Sequence, residues 1–148
     1  MPTNLYGPGD DFSTDTSHVL PALIRRMCEA KKSGVTSITN WGTGTPLREF
    51  LHVDDLASAV LTLLAEYDSP EIINVGTGED LSIKEISQLV ADAVGYTGAI
   101  EWDFTKPDGT PRKLLDVSRL KSLGWTPSVP LDKGVRRTVR WFLENVAA

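Results

Sequence analysis

Ser37-Ile38-Thr39-Asn40-Trp41-Gly42-Thr43-Gly44-Thr45-Pro46-Leu47-Arg48-Glu49-Phe50-Leu51-His52-Val53-Asp54-Asp55 changes its pattern several times in one short run. Residues 37–41, with β-branched Ile38 and Thr39 and aromatic Trp41, predict a strand. Gly42 to Pro46 predicts a tight turn, because glycine supplies unusual φ values and proline interrupts a strand. Glu49 to Val53 predicts a second short strand. Asp54 is a suitable cap for a helix over 55–67, with Leu56, Ala59, Val60, Leu63 and Leu64 turned inward. Strand, turn, strand and helix in this order are the beginning of an α/β domain.

Elements on both sides extend that reading. Val19, Leu20, Leu23, Ile24 and Met27 recur at helical spacing within 18–32. Pro21 is tolerated only near a first turn, so this helix starts close to His18, and Gly34 is its C-cap. Met1 to Gly9 predicts the end of a strand leaving a sheet, then a Gly/Pro loop. No partner for that strand is visible, so residues 1–9 are expected to be a poorly ordered remnant of a longer protein. Downstream, Glu71 to Val75 predicts a strand and Gly76-Thr77-Gly78 a turn. Ser82-Ile83-Lys84-Glu85 has the capping-box pattern, opening a helix with Ile83, Ile86, Leu89, Val90 and Val94 on one side and Gly95 at its end. Ala99 to Phe104 is strand-like, 106–111 a loop and 117–123 a short helix. Leu131 to Val146 is an amphipathic helix facing inward with Val135, Val139, Phe142 and Val146. The sum is a small mixed α/β domain with short strands of mixed direction.

Of the 148 residues, 41% are hydrophobic and 24% charged, which suits a globular domain with one core. There is no apolar run of membrane-spanning length and no basic-then-apolar leader, so neither a membrane partner nor a signal peptide is expected. The single cysteine, Cys28, cannot form an internal disulfide, which suits a cytoplasmic location. Net charge is −5, and residues 112–140 hold eight basic and two acidic side chains. A basic stretch in an acidic protein suits a small anionic ligand better than nucleic acid. For Arg136, Arg137 and Arg140 a solvated helix face explains as much.

Several chemistries lack their residues here. No G-x-x-G-x-x-G follows a strand, and no Y-x-x-x-K occurs. Gly42-Thr43-Gly44 and Gly76-Thr77-Gly78 each lack a third glycine and a following helix, so tight turns account for them better than phosphate loops. His18 and His52 are 34 residues apart with no cysteine beside either, which argues against zinc. Cys28 lies ten residues from His18, roughly 15 Å along a helix, too far for a nucleophile–base pair. Three polar segments remain. His18 stands at a helix entrance, where a histidine can act as a general acid or base, or serve as a cap or surface residue. Trp41 to Phe50 joins an aromatic face, a turn and Arg48, which suits a base or sugar ring beside a diphosphate. Lys106 to Lys113 offers Asp108 to hydroxyls and Arg112 to phosphate. Without further context a capped helix, a β-turn and a polar loop explain them better.

The strings Met1-Pro2-Thr3-Asn4-Leu5-Tyr6-Gly7-Pro8, Ser17-His18-Val19-Leu20-Pro21-Ala22-Leu23, 41–55, Lys106-Pro107-Asp108-Gly109-Thr110-Pro111-Arg112-Lys113-Leu114-Leu115-Asp116 and Trp141-Phe142-Leu143-Glu144-Asn145 resemble GDP-L-fucose synthases, in the order found in that family. Arg48-Glu49-Phe50 with Val53 and Asp55 is common to extended short-chain dehydrogenases; the 17–23 and 106–116 strings are more particular. The resemblance implies the carboxyl-terminal, substrate-binding half of a Rossmann-type enzyme, residues 1–148, with 1–9 the end of the dinucleotide-binding domain. That family epimerises C3 and C5 of GDP-4-keto-6-deoxy-D-mannose, then reduces C4 with NADPH to give GDP-L-fucose. By resemblance, Pro2, Thr3, Asn4 and Leu5, with His18, meet the nicotinamide side of NADP(H). His18 is the epimerisation acid, and Arg26, Trp41, Arg48 and Asp108 contact the GDP-sugar. Helical angle puts Arg25 rather than Arg26 on the face of His18, so Arg26 rests on resemblance alone. The family's glycine-rich loop, serine, Y-x-x-x-K pair and partner cysteine have no counterpart in these residues. Neither activity nor tight NADP(H) binding is therefore expected of this chain alone. The family's homodimer contact resembles one made by helices outside this segment and is not carried over. A non-catalytic GDP-sugar module, an inert folding unit and a piece of another sugar-nucleotide epimerase or reductase are the alternatives.

Overall fold

The first residues do have partners. In the computed structural model, which describes residues 1–147, β1 (Asn4–Tyr6) pairs in parallel with β4 (Phe50–His52), matching Asn4 to Phe50, Leu5 to Leu51 and Tyr6 to His52. One turn earlier, Pro2 bridges Val75: Thr3 N–H donates to the Val75 carbonyl at 3.0 Å and Val75 N–H to the Met1 carbonyl at 2.9 Å. The expected unpartnered remnant is thus a strand satisfied from two sides within the chain. The strand expected over 71–75 shrinks to that single bridge. Its neighbour turns toward β4 after Thr3, so no ladder is left to extend it.

The remaining elements follow the periodic reading closely. They are α1 (Val19–Ser33), β2 (Ser37–Trp41), β3 (Leu47–Arg48), α2 (Val53–Glu66), β5 (Leu81–Ser82), α3 (Ile83–Val94), β6 (Ala99–Asp103), β7 (Arg112–Lys113), α4 (Ser118–Ser122) and α5 (Leu131–Asn145). β2 and β6 pair in parallel from Ser37–Ala99 to Trp41–Asp103. β3 lies between antiparallel β5 and parallel β7. The direction is mixed, as expected. Gly34 and Gly95 close α1 and α3 in the left-handed conformation, and both halves of the Ser82–Glu85 capping box are made.

Helices α1, α3 and α5 pack side by side over the main core, which includes Leu20, Ile24, Met27, Ile86, Val90, Val135 and Phe142. Leu51, Ala59, Val75, Leu120 and Trp125 form a second, smaller cluster. Three sequence readings need correction. Helix α2 begins at Val53, capped by His52, whose Nδ1 accepts the Asp54 N–H at 3.2 Å. The inner face of α2 carries Asp55 and Ala59, because the Asp55 carboxylate accepts from Ser128 N–H, Ser128 Oγ and Val129 N–H. That rotation turns Val60 and Leu64 out to solvent, Leu64 to 79% exposure. Val19 and Val146 are likewise outside the core.

Candidate functional site

Two depressions lie at the N-terminus of α1, one lined by His18 and the other by Val19. The first, about 360 Å³, is walled by the strand-to-loop segment Thr3 to Asp10, by His18 and by Val53. The second is a groove in two joined sections of about 390 and 220 Å³. Val19, Trp41 and Ile83 line both sections; Arg26 and Asn40 belong to one, Arg48, Asp108 and Gly109 to the other. Val19 follows His18 in the chain, so the histidine stands where the two depressions approach each other.

Thr3, Asn4, Leu5 and His18 therefore share one cleft, and Arg26, Trp41, Arg48 and Asp108 share the neighbouring groove. Pro2 is placed differently, against Val75 and off the cleft wall. Arg26 and Arg25 part company. Arg25 reaches Thr14 at 2.7 Å and Glu29 at 3.8 Å, while Arg26 crosses to β2, donating to Asn40 Oδ1 at 2.9 Å and to the Thr39 carbonyl. Helical angle alone does not show that Arg26 reaches this groove, because the partner strand β2, not the helix, sets where its guanidinium ends. Burial, then the neighbouring charge of Arg25, pulls the Arg26 guanidinium below its ordinary value.

Trp41, 74% exposed, presents its ring to solvent with Lys106 Nζ 5.7 Å from the ring centre. Asp108 is fixed in the same groove: its carboxylate accepts the Thr43 N–H at 2.8 Å and the Thr43 hydroxyl at 2.7 Å. Those two bonds hold the Asp108 carboxyl below the usual range. The approach needs Gly42, where a Cβ would lie 2.2 Å from Asp108 Oδ1 and φ is 77°. The first G-T-G turn is thus a seat for a carboxylate rather than a phosphate loop. The second does the same for Glu49, which is fully buried. Gly78 N–H donates to its Oε1 at 2.7 Å and Leu115 N–H to its Oε2 at 3.1 Å. The Glu49 carbonyl in turn accepts the side chains of Thr3 and Asn4, at 3.3 and 2.8 Å. Sequence reading passed over Glu49, although a carboxylate between Arg48 and the apolar run 50–51 was the available signal.

His18 occupies the N-cap position of α1 yet makes no side-chain cap bond, so its exposed ring is free. Cys28 is buried in the main core, and burial pushes its thiol up to about 11, which keeps it protonated and inert. Among the described residues no group of three or more His, Cys, Asp or Glu is placed to hold a metal, and no helix is long and apolar enough to cross a membrane. Toward a dinucleotide, the 3–10 cleft offers backbone groups and a floor at Gly7 and Gly9 without side chains, which fits a flat ring. It contains no arginine or lysine for a pyrophosphate.

The NAD dependent epimerase/dehydratase family model matches residues 1–76. The chain is 57% identical over 146 residues to GDP-L-fucose synthase 1 of Arabidopsis thaliana, covering 99% of this chain and 45% of the relative. It is 51% identical over 154 residues to the GDP-L-fucose synthase of Escherichia coli (strain K12), covering 98% and 48%. A crystal structure of a GDP-L-fucose synthetase from Naegleria fowleri bound to NADP superposes with a TM-score of 0.92 at 34% identity, over 99% of this chain and 46% of that one. The chain thus spans about half the length of the curated relatives it matches. It belongs to the NAD dependent epimerase/dehydratase family, and the relatives it matches at 51–57% identity are GDP-L-fucose synthases.

Proposed function

We propose that this chain is the carboxyl-terminal, GDP-sugar-binding portion of an NADPH-dependent GDP-L-fucose synthase that epimerises C3 and C5 of GDP-4-keto-6-deoxy-D-mannose and reduces C4. The observation that carries this is the convergence of Arg26, Trp41, Arg48 and Asp108 on one groove beside His18. The exposed Trp41 ring is a stacking surface for a base, and Arg48 supplies a fork of donors for diphosphate oxygens. Asp108 keeps lone pairs for ribose or sugar hydroxyls beyond those spent on Thr43. His18, with a free ring, is the acid that returns a proton to the sugar carbon after an α-proton has left.

Thr3, Asn4 and Leu5 would line the nicotinamide end of NADP(H), which supplies hydride when bound. No residue of this chain matches the serine, tyrosine and lysine of the family. The chain by itself is therefore expected not to complete the reduction. Val53, Val60, Leu61 and Leu64 make an apolar stripe on α2, and Ile72 is exposed too.

Calorimetry tests the binding. GDP and GDP-L-fucose are expected to bind in preference to UDP and dTDP sugars, and Trp41→Ala to weaken GDP about tenfold or more, the usual worth of one base stack. Equal or better binding of UDP sugars, or affinity indifferent to Trp41→Ala, would sink this assignment.

A further inference from the structure

Among the described residues, three buried side-chain atoms have no hydrogen-bond partner: Asp10 Oδ2, Arg25 Nε and His52 Nε2. Only Asp10 shares a cleft with His18. A buried carboxylate oxygen without a donor is costly, and such an atom at a cleft wall calls for a partner.

We propose that Asp10 is the positioning residue for His18: its Oδ2 accepts the N–H of the imidazole and so fixes which ring nitrogen faces the cleft. The carboxylate is already held in place. Its Oδ1 accepts the Asp11 N–H at 2.8 Å, and the Asp10 N–H closes a turn onto the Gly7 carbonyl at 3.3 Å. The neighbouring carboxylate cannot substitute, because Asp11 is engaged by Ser13 N–H and Oγ and by Thr16 Oγ1. His18 has an unspent ring on an exposed side chain, and swinging it between staggered rotamers costs little. Charge favours the contact. Burial raises the Asp10 carboxyl above its ordinary value, the Asp11 N–H bond and the His18 charge draw it back, and Asp11 opposes them.

A carboxylate on one ring nitrogen selects the tautomer and stabilises the imidazolium. An acid that must deliver a proton to one face of a sugar needs that orientation. This role rests on His18 being the epimerisation acid.

The test uses the 148-residue chain without nucleotide. Long-range proton–nitrogen correlation of the histidine rings reads the tautomers, with His18→Gln assigning the signals and His52 as internal reference. Asp10→Asn keeps the Oδ1 acceptor and replaces Oδ2 with an amide. The parent is expected to show one dominant His18 tautomer that Asp10→Asn abolishes while His52 is unchanged. In His18→Gln, a surface change that leaves the core untouched, the Asp10 carboxyl carbon is expected to titrate at higher pH than in the parent. A tautomer ratio indifferent to Asp10→Asn, or an Asp10 titration indifferent to His18→Gln, overturns the proposal. Neither readout involves GDP, so that failure leaves the sugar-nucleotide reading standing.

Discussion

Glu49 ties three separate segments together, and removing its carboxylate should cost more stability than any other polar change at the site. Its Oε1 accepts Gly78 N–H at 2.7 Å and Thr77 Oγ1 at 3.3 Å; its Oε2 accepts Leu115 N–H at 3.1 Å; no part of the residue meets solvent. A Cβ at Gly76 would lie 2.3 Å from Oε1, so the turn is moulded around this group. Glu49→Ala strands two backbone N–H groups, each worth about 1–3 kcal/mol when left unsatisfied. Water entering the new cavity recovers part of that. The expected loss is about 3–5 kcal/mol, about a fifth or more of an ordinary domain's stability of about 5–15 kcal/mol. Glu49→Gln retains one acceptor but sets an amide N–H₂ against the Leu115 or Gly78 N–H, and should lose about 2 kcal/mol. Urea unfolding followed by the fluorescence of the four tryptophans reads both. At an m-value of about 2 kcal/mol/M, within the usual range of about 1–3, Glu49→Ala should lower the midpoint by about 1.5–2.5 M. A loss below about 1 kcal/mol for Glu49→Ala would refute the reasoning, since backbone groups that tolerate losing the carboxylate were never dependent on it.

Other outcomes follow from single contacts. Gly42→Ala should cost roughly 1–2 kcal/mol in backbone strain at its φ of 77° and push Asp108 off Thr43; GDP affinity measured by calorimetry should fall with it, and an unchanged affinity would detach Asp108 from the groove. His52 is buried, and burial lowers its imidazole below the ordinary value while Asp54 partly offsets this. Its contribution is therefore complete above about pH 6.5 and lost as pH falls through the lower folded-state value, because the unfolded chain takes up the proton first. The thermal midpoint should drop between pH 7 and 5 by more in the parent than in His52→Gln; equal slopes would contradict this. With its thiol pushed up to about 11, Cys28 should react with an aromatic disulfide at pH 8 far more slowly than in unfolded chain, and equal rates would disprove its burial. Leu64→Lys on the exposed stripe of α2 should change stability by no more than about 0.5 kcal/mol, as urea unfolding would show; a large loss would mean the stripe is already covered.

Periodicity and capping chemistry were enough to place α1, β2, α3 and α5 and to expect an α/β domain with strands of mixed direction. Those features depend on residues within a few positions of one another: Leu20, Ile24 and Met27 on one helical stripe, Ser82 and Glu85 in one capping box, Gly34 and Gly95 at helix ends. Motif strings likewise carried the family. Contacts made through space were beyond that kind of reading. Nothing near Met1 announces that residues 2–6 find Val75 on one side and β4 on the other. Nothing on α2 tells that Asp55 turns inward to bind the 128–129 backbone and so rotates Val60 and Leu64 outward. The helical angle that favoured Arg25 was sound as local geometry, but Arg26 reaches the groove because Asn40 and Thr39 of β2 take hold of its guanidinium. Glu49 and Asp108 show the same division. Glu49 looked like an ordinary polar residue and Asp108 like an acceptor for hydroxyls, yet each is held by a G-T-G turn far away in sequence, a pairing that only the folded chain brings within hydrogen-bond reach.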